Sequence, residues 1–493
     1  MKNISKLIVG ASAIGAAAGA SLAAYYGYSD KKFCRKSFTV NGGKGPLKVG
    51  IISDLQLPDT DDKDTHQYKS FEKTLNMLKR KGMDALIIGG DFTDAGTVKA
   101  WKSYKEIFDN AFSDTNKPIM LCVMGNHDYW LPTFWECGEI PTPAKQQRRF
   151  EKYTGEKPYS HTVINGFHFI CWSSSNGSYD KSYQNKAQVR RELDAAVNDA
   201  PDKPIFVITH INPTNSVYGS DEWGNADVEE VLKDYPQAIS MSGHSHYSII
   251  DERSIYQGKY TAFTTQSLDY IELETGKFNG TVPKDAYGNT IADVTPACLY
   301  MIVEDDKVTL ERLDANNGTP LKNPWVINAP FGNNRDYGNE SRQKANTPPS
   351  LPENLNFKML KITDVGGNMQ NAISFSAGSD DDFVHSYKLR FFDKNKNLLS
   401  FNETDYDGNS VKYNSKGERV PFGRGDYKFA SPKMTDIVLY FSDYVLGLDK
   451  MSDTVLLRLP KNVPHTAAFV EITAIDSWGA ESKSAVCKLQ PLL

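Results

Sequence analysis

The sequence predicts an α/β domain followed by an all-β domain. From residue 47 onward, short apolar runs alternate with helical patterns, as expected when the strands of a sheet are largely buried. From about residue 354, short strand patterns separated by turn residues take over. The chain has 493 residues, 40% of them hydrophobic, which is too long for one small module and sufficient for two or more packed domains.

The first domain contains six apolar runs that we predict to be strands. They are Leu47 to Ile52, Ala85 to Ile88, Ile119 to Met124, Phe167 to Trp172, Ile205 to Thr209 and Ala238 to Met241. Apolar residues at helical spacing predict amphipathic helices through Phe71, Leu75 and Leu78, through Trp101, Tyr104 and Phe108, and around Val189 to Val197. A hairpin is predicted where Leu299 to Val303 and Val308 to Leu313 flank Asp305 and Asp306.

The boundary between the domains is marked by proline, asparagine and glycine. Residues 319–355 carry six prolines and lose regular periodicity. We therefore expect a domain at 40–330, a linker at 331–353 and a β-sandwich at 354–493. The segment from Val470 to Gly479 resembles the last strands of a fibronectin type III domain, a likeness confined to this C-terminal part.

The front of the chain has the pattern of an export signal. Lys2 and Lys6 precede an uncharged stretch from Leu7 to Tyr28. Ser21-Leu22-Ala23 offers a small-x-small cleavage site, but the stretch also approaches the ~20 residues of a membrane span. Residues 1–28 are therefore expected to be a signal peptide or a membrane anchor through residues 7–28, and the protein to be secreted or anchored outside the cytoplasmic membrane.

Charge and cysteine usage exclude two classes of protein. The formal net charge of -5 excludes a globally basic nucleic-acid binder, so no stable nucleic-acid binding is expected, although a local cationic pocket stays open. The six cysteines are scattered and form no C-x-x-C pair, which does not indicate a dense disulfide framework. Cys122 and Cys171 lie inside apolar runs and are expected to be buried as small hydrophobic residues.

Polar residues cluster at the points where predicted strands end. The segments are Ser53-Asp54-Leu55-Gln56, Gly89-Gly90-Asp91-Phe92-Thr93-Asp94, Gly125-Asn126-His127-Asp128, Thr209-His210 and Gly243-His244-Ser245-His246. Because the carboxyl ends of strands in an α/β sheet converge on one crevice, we expect these residues to be neighbours. Gly90, Gly125 and Gly243 are expected to allow tight turns and close backbone approach beside them.

The donors in this cluster are carboxylates and imidazoles without thiolates, and they predict a cation site. Such donors favour Mn, Fe, Zn, Ni or Co over copper or an iron–sulfur cluster. They are too many for one four-coordinate ion, whereas two ions about 3.5–4 Å apart would use them all.

The ordered set D-x-[H/Q], G-D-x-x-D, G-N-H-D, H and G-H-x-H resembles the calcineurin-like metallophosphoesterase superfamily over about residues 47 to 315. The resemblance implies a β-sandwich flanked by helices, in α/β/β/α layers, and two divalent metal ions, with Mn, Fe or Zn expected. It assigns Asp54, Gln56, Asp91 and His246 to the first metal, and Asp91, Asn126, His210 and His244 to the second. His127 would be a general acid or a stabiliser of developing charge, oriented by Asp128, while Asp94 would support the site without binding metal.

Gln56 departs from the usual family pattern, in which a histidine stands at this position. Its neutral amide oxygen is a weaker donor than imidazole. The first metal is therefore expected to bind less tightly, or to be Mn²⁺ or Mg²⁺ rather than Zn²⁺ or Fe.

The implied activity is phosphoester hydrolysis, of a mono- or diester, by a hydroxide bridging two metal ions. The expected partner is a phosphorylated small molecule, a nucleotide or a cell-envelope phosphoester. The alternative is a non-catalytic surface protein in which the metal-stabilised domain is a scaffold and the C-terminal domain binds a surface partner.

Several residues near the motifs leave two interpretations open. The aromatic residues Tyr129, Trp130, Trp135 and Trp223 could stack on a substrate or belong to ordinary packing. Asn212 and Asn215 could contact substrate or serve a turn around Pro213. We expect His161, His168, His385 and His465 to be structural.

Overall fold

The structure is a computed structural model. It describes residues 33–132, 138, 140, 142–178, 182–272, 285–287, 296–333, 335–402, 433–440 and 452–490. The predicted leader at 1–28 lies outside these residues. None of the helices described combines the length and apolarity that a membrane crossing needs.

The chain divides into two compact units. The first comprises Met1–Ile249, Ser254–Asp269 and Pro296–Gly338, and the second comprises Ile250–Arg253, Tyr270–Thr295 and Asn339–Leu493.

The first unit is built on two mixed β-sheets. Its strands are β1 (Cys34–Phe38), β2 (Leu47–Ile52), β3 (Ala85–Ile88), β4 (Ile119–Cys122), β5 (Tyr159–Ile164), β6 (Phe167–Trp172), β7 (Ile205–Ile208), β8 (Ala238–Ser242), β9 (Ile255–Gln257), β10 (Thr261–Thr264), β11 (Ala297–Val303), β12 (Lys307–Asp314) and β13 (Pro320–Asn328). A seven-stranded sheet has the order β1-β5-β6-β7-β8-β10-β9, and a six-stranded sheet has the order β13-β12-β11-β2-β3-β4.

The central strands run parallel within each sheet. β2, β3 and β4 pair in parallel in the six-stranded sheet, and β6, β7 and β8 do so in the seven-stranded sheet. All residues of β3, β6 and β7 are buried, as their continuous apolar runs predict. β11 and β12 form the predicted hairpin.

Helices connect strands of these sheets, and most of them pack on the outer faces. They are α1 (His66–Lys81), α2 (Val98–Ala111), α3 (Pro143–Thr154), α4 (Lys186–Asp199), α5 (Ser220–Trp223) and α6 (Ala226–Leu232). Thr65 and Thr97 cap the first two, with side chains that accept from the backbone N–H groups of Tyr68 and Ala100.

The core of the first unit confirms the predicted layering. One apolar cluster joins side chains of both sheets, among them Val49 of β2 and Phe206 of β7, and therefore fills the space between them. A second packs α1 and α2 on the six-stranded sheet, and a third packs α4 and α6 on the seven-stranded sheet. The order of layers is α/β/β/α.

The second unit is all-β apart from one short helix, α7 (Asn339–Ala345), as far as the structure describes it. Its strands are β14 (Lys358–Thr363), β15 (Met369–Ser376), β16 (Val384–Phe392), β17 (Phe401–Asn402), β18 (Lys433–Met434), β19 (Asp436–Tyr440), β20 (Thr454–Arg458), β21 (Phe469–Asp476) and β22 (Ala485–Lys488). The sheets are β14-β15-β20, β19-β16-β21-β22 and β17-β18. One apolar cluster contains residues of both larger sheets, which fits a β-sandwich. The likeness to fibronectin type III stays a prediction.

Several elements do not stand out in the sequence, and β1 and α7 are examples. β1 pairs in parallel with β5, although its residues show no apolar run. α7 lies inside the proline-rich segment 331–353, and it has no buried residue. Cys122 and Cys171 are buried as predicted.

A chain of hydrogen-bonded polar side chains, with a buried histidine pair at its middle, connects β5, β6 and α4. His161 Nδ1 lies 2.9 Å from Glu192, His161 Nε2 lies 2.8 Å from His168 Nδ1, and His168 Nε2 lies 3.0 Å from Asp199. Burial lowers the pKa of both His161 and His168 and outweighs the carboxylates that would raise it.

This histidine pair predicts acid sensitivity of the fold. The folded protein resists protonation of both rings, while the unfolded chain takes up protons below about pH 6.5. We expect the free energy of unfolding to fall as the pH drops below that value. Urea unfolding at pH 8 and pH 5.5 measures this, and a His161→Gln, His168→Gln double variant should show a smaller drop. The exposed His465 supplies the control, because His465→Gln should behave as the native chain. An equal drop in all three proteins would contradict the prediction.

Candidate metal centre

The predicted site residues converge at the carboxyl ends of five strands. Asp54 follows β2, Asp91 follows β3 and Asn126 follows β4, all in the six-stranded sheet. His210 follows β7, and His244 and His246 follow β8 in the seven-stranded sheet. Both sheets thus contribute to one cluster of side chains. Ligand atoms of Asp54, Asp91 and His210 lie within 4.8 Å of one another, and all three residues are buried.

Glycines allow the ligand loops to approach this closely. A β-carbon at Gly125 would overlap Asp91 Oδ1, and one at Gly243 would overlap Asp54 Oδ2. The absence of a side chain at these two positions therefore leaves room for the carboxylates, as predicted.

The backbone is strained at the predicted ligands. Asp54, Gln56, Asp91, His244 and His246 all have positive φ angles, between 43° and 68°. This left-handed region costs a residue with a β-carbon about 1–2 kcal/mol. Strain of this kind clusters at functional sites, because the surrounding structure has to hold it in place.

Asp91 links two of the other ligand candidates. Its Oδ2 lies 3.1 Å from His210 Nε2, which lies 3.0 Å from Asn126 Oδ1. The other ring nitrogen of His210, Nδ1, donates to the carbonyl of Gly89 at 2.9 Å. His210 is therefore held as metal-binding histidines usually are, with Nδ1–H on a carbonyl and Nε2 directed at the site.

The charges in this part of the centre favour ionised carboxylates. Burial by itself would raise the pKa of Asp91, but His210 and His127 outweigh it, and the pKa lies below its ordinary value. Burial by itself would lower the pKa of His210, but the neighbouring Asp91 outweighs it and raises the pKa to about 9.

Asp54 brings the remaining ligand candidates together. Its Oδ1 lies 3.1 Å from His246 Nε2, and the backbone N–H of His244 lies 3.2 Å from both carboxylate oxygens. Burial would raise the pKa of Asp54, but His246 and His210 outweigh it and lower it. Burial, with the neighbouring His210, lowers the pKa of His244 well below its ordinary value. His244 is therefore neutral, the form in which imidazole binds metal.

Gln56 is 2% exposed, and its Nε2 has no hydrogen-bond partner in the part of the chain that the structure describes. Buried amides are normally satisfied, so an open amide two residues after Asp54 fits a missing ligand. Because the O and N of an amide can exchange places by a flip, Gln56 can present its oxygen to a cation. The donor set, the strain and this open amide all fit divalent metal ions.

His127 is oriented by Asp94. Its Nδ1 donates to the backbone carbonyl of Asp94 at 2.8 Å and lies 3.4 Å from the Asp94 carboxylate, so Nε2 is the nitrogen available to a substrate. The backbone N–H of His127 donates to Asp91 Oδ1 at 2.9 Å. Burial would lower the pKa of His127, but Asp91 and Asp94 outweigh it and raise it to about 9.

The expected role of Asp128 in orienting His127 is wrong. Asp128 is fully buried, and its carboxylate accepts from the backbone N–H of Gly125 at 3.0 Å and from the N–H and hydroxyl of Thr93 at 3.2 and 3.0 Å. Burial, with the neighbouring Asp91, raises its pKa to about 7. Asp128 therefore connects the loops after β3 and β4. Its hydrogen bonds are with Thr93 and Gly125 and not with the His127 imidazole, so they do not support the predicted catalytic role.

The structure adds supporting residues that the motifs do not contain. Tyr183 Oη accepts from the backbone N–H groups of His210 and Ile211, each at 2.9 Å. After β10, the Ser267 hydroxyl donates to the backbone carbonyl of Asp54 at 3.1 Å. Close by, burial raises the pKa of Asp269 to about 6 against the opposing effect of His246. None of these residues is adjacent to a motif, so the sequence carries no local signal for them.

Removing the Tyr183 hydroxyl tests its support of His210. Tyr183→Phe leaves two buried N–H groups without an acceptor, at a cost of about 1–3 kcal/mol for each unsatisfied group. We expect a lower unfolding midpoint in urea and weaker metal retention. Tyr235→Phe serves as the control, because its hydroxyl donates to Asp194 on the partly exposed surface of α4. Unchanged stability and metal content in Tyr183→Phe would contradict this role.

Replacing the unusual amide tests Gln56 as a ligand. Gln56→His should tighten metal retention, because imidazole is the stronger donor. Metal content after dialysis, measured by elemental analysis, checks this. Gln237→His is a control outside the centre, since that amide donates to carbonyls of Ala200 and Lys203. Unchanged metal content in Gln56→His would count against Gln56 as a ligand.

The structure separates the residues for which two interpretations were open. Tyr129 is buried, with its hydroxyl donating to Ser174, and Asn212 is fully buried and donates to the carbonyl of Gly243, so both serve packing. The Trp130 ring lies against His127, and that of Trp223 lies 6.0 Å from the ring of His244. Trp135 lies outside the described residues.

Comparison with known proteins agrees with this geometry. Residues 47–248 match the family described as calcineurin-like phosphoesterase. No curated protein matches the chain at a significant level.

Three solved structures are similar over 58% of this chain. A purple acid phosphatase from yellow lupin (Lupinus luteus) seeds is 12% identical with a TM-score of 0.39, and the alignment spans 54% of that enzyme. A predicted phosphoesterase from Streptococcus pneumoniae is 10% identical, with 99% of it covered and a TM-score of 0.27. Vacuolar Protein Sorting 29 from Cryptosporidium parvum is 15% identical, with 98% covered and a TM-score of 0.27.

The family match covers the strands β2 to β8 and every ligand candidate from Asp54 to His246. Residues 47–248 are therefore similar to the calcineurin-like phosphoesterase family over all of the ligand candidates.

Proposed function

We propose that this protein hydrolyses phosphoesters with two divalent metal ions at the centre described above, with Mn, Fe or Zn as the expected metals. The observation that carries the proposal is the position of Asp91. Its buried carboxylate lies 3.1 Å from His210 Nε2 on one side and accepts from the backbone N–H of His127 on the other. It therefore connects the ligand cluster to the residue that would meet the substrate.

The donors divide into two sets that share Asp91. Asp54, Gln56, Asp91 and His246 would hold the first ion, and Asp91, Asn126, His210 and His244 the second. When bound, the two ions would supply a bridging hydroxide as the nucleophile and neutralise charge on the phosphate.

The protein's own groups handle the leaving group. His127 Nε2 is directed to the substrate because Nδ1 is held by Asp94. From there it would donate a proton to the ester oxygen as the P–O bond breaks. The fixed N–H···O contact between His127 and Asp91 keeps this donor at a constant position relative to the metal ligands.

Activity with generic esters tests the proposal. The full chain, supplied in turn with Mn²⁺, Fe²⁺ and Zn²⁺, is assayed with p-nitrophenyl phosphate as a monoester and bis-p-nitrophenyl phosphate as a diester. We expect cleavage of at least one of them, and none by a His127→Ala, Asp91→Ala double variant. If neither ester is cleaved above the level of that control, the alternative of a non-catalytic surface protein gains.

We also infer, from the leader alone, that the enzyme acts outside the cytoplasmic membrane, on a phosphorylated small molecule, a nucleotide or a cell-envelope phosphoester. The C-terminal unit would then be available to a surface partner. Fractionation of cells that express the full chain, compared with a chain lacking residues 1–28, tests the location. Equal cytoplasmic recovery of both chains would contradict export.

A further inference from the structure

The indole of Trp130 packs beside His127 in a fixed orientation. The ring centroids of the two residues are 4.1 Å apart, and the ring planes meet at 43°. The indole N–H donates to the carbonyl of Gly177 at 3.1 Å. A β-carbon at Gly177 would lie 2.8 Å from the five-membered part of the indole, so the ring packs directly on this glycine. Both contacts hold the indole in one orientation.

Trp130 is exposed, unlike the tryptophans of the core. Its side chain remains 37% exposed, whereas Trp101 and Trp172 are fully buried. A fixed indole with an accessible surface is a low-entropy contact for a flat ring, because little conformational freedom is lost when a partner binds.

The position of the Trp130 indole beside His127 relates it to the leaving group of the ester. This step rests on the proposed function, in which His127 Nε2 protonates the ester oxygen. A general acid lies about 3 Å from the oxygen that it protonates, so the first atoms of the leaving alcohol are one or two bonds from that point. The ring spacing of 4.1 Å places the indole directly beside the imidazole, so a ring carried by an alcohol that approaches His127 would come within reach of the indole.

We propose that Trp130 determines specificity by contacting the leaving group, and that it selects phosphoesters whose leaving alcohol carries an aromatic ring. An aromatic ring can stack on the indole or meet it edge to face, and such pairs contribute about 0.5–1.5 kcal/mol beyond their buried area. A saturated ring of similar size buries comparable area without this term. The expected preference is about 2- to 10-fold.

Two matched esters test this selection. Benzyl phosphate and cyclohexylmethyl phosphate share a CH₂–O linkage and a six-membered ring, and their leaving alcohols have similar basicity. We expect kcat/KM to favour the benzyl ester about 2- to 10-fold in the native chain. The preference should disappear in Trp130→Leu and persist in part in Trp130→Phe. Trp478→Leu, in the second unit, is the control and should keep the native ratio. An unchanged ratio in Trp130→Leu would overturn the proposal.

A binding measurement separates this inference from the proposed function. Benzylphosphonate and cyclohexylmethylphosphonate are not hydrolysed, and their dissociation constants from the metal-supplemented chain can be measured by calorimetry. We expect the benzyl compound to bind more tightly to the native chain and with equal affinity to Trp130→Leu. Equal affinities in the native chain would overturn the role of Trp130. Failure to hydrolyse either ester, with the binding preference intact, would instead reject the proposed catalysis.

Discussion

Replacing Asp91 with asparagine is expected to lower kcat/KM for p-nitrophenyl phosphate about a thousandfold. Asparagine keeps the size of the side chain and an oxygen that can accept from the backbone N–H of His127, but it removes the negative charge next to His210. A shared anionic ligand is required to hold two dications close together. Loss of the metal ions removes several kcal/mol of transition-state stabilisation.

Metal content distinguishes this explanation from misfolding. Asp91→Asn should retain less than the native amount of metal after dialysis, while its far-ultraviolet circular dichroism stays native. Asp109→Asn is the matched control, because Asp109 forms ion pairs with Lys105 and Lys117 on the outer surface of α2. Native activity and native metal content in Asp91→Asn would show that Asp91 does not bridge metals.

The second large effect is expected from His127→Gln, and it should depend on the leaving group. General acid catalysis contributes about 10²–10⁴-fold when the departing oxygen is basic. For benzyl phosphate, whose leaving group is a basic alkoxide, kcat/KM should fall by that factor in the variant. For p-nitrophenyl phosphate, whose p-nitrophenolate leaves without protonation, kcat/KM should fall far less.

The same comparison decides between the two roles open to His127. Equal losses with both esters would assign the ring to charge stabilisation on the phosphate rather than to proton donation. Full activity of His127→Gln with both esters would remove His127 from the reaction. Asp94→Asn keeps the backbone carbonyl that binds Nδ1 and should therefore have a smaller effect than His127→Gln.

The sequence predicted that these loops meet because its information is local. Each ligand candidate stands directly after an apolar strand, and a strand's end determines where the next residues point. The glycines were predictable for the same reason, since Gly125 and Gly243 adjoin the residues for which they make room.

Contacts made across the fold could not be predicted in this way. Tyr183 reaches His210 from 27 positions earlier in the chain, and only the register of the strands brings them together. The role assigned to Asp128 failed because adjacency in sequence does not determine the partner of a side chain: the Asp128 carboxylate accepts from Thr93 and Gly125, whereas the His127 ring donates to Asp94. β1 has no apolar run, and its place beside β5 depends on pairing partners rather than on its own residues.

The left-handed backbone at five ligand positions has a consequence for how this sequence could change over time. Glycine would relieve about 1 kcal/mol or more at each of these positions, so a chain selected only to fold would be expected to drift toward glycine there. Such drift would delete the carboxylates, imidazoles and amide of the centre. The left-handed backbone at the present side chains lowers the free energy of unfolding. The five positions are Asp54, Gln56, Asp91, His244 and His246. A pure scaffold has no use for such a set, whereas an enzyme has to maintain it.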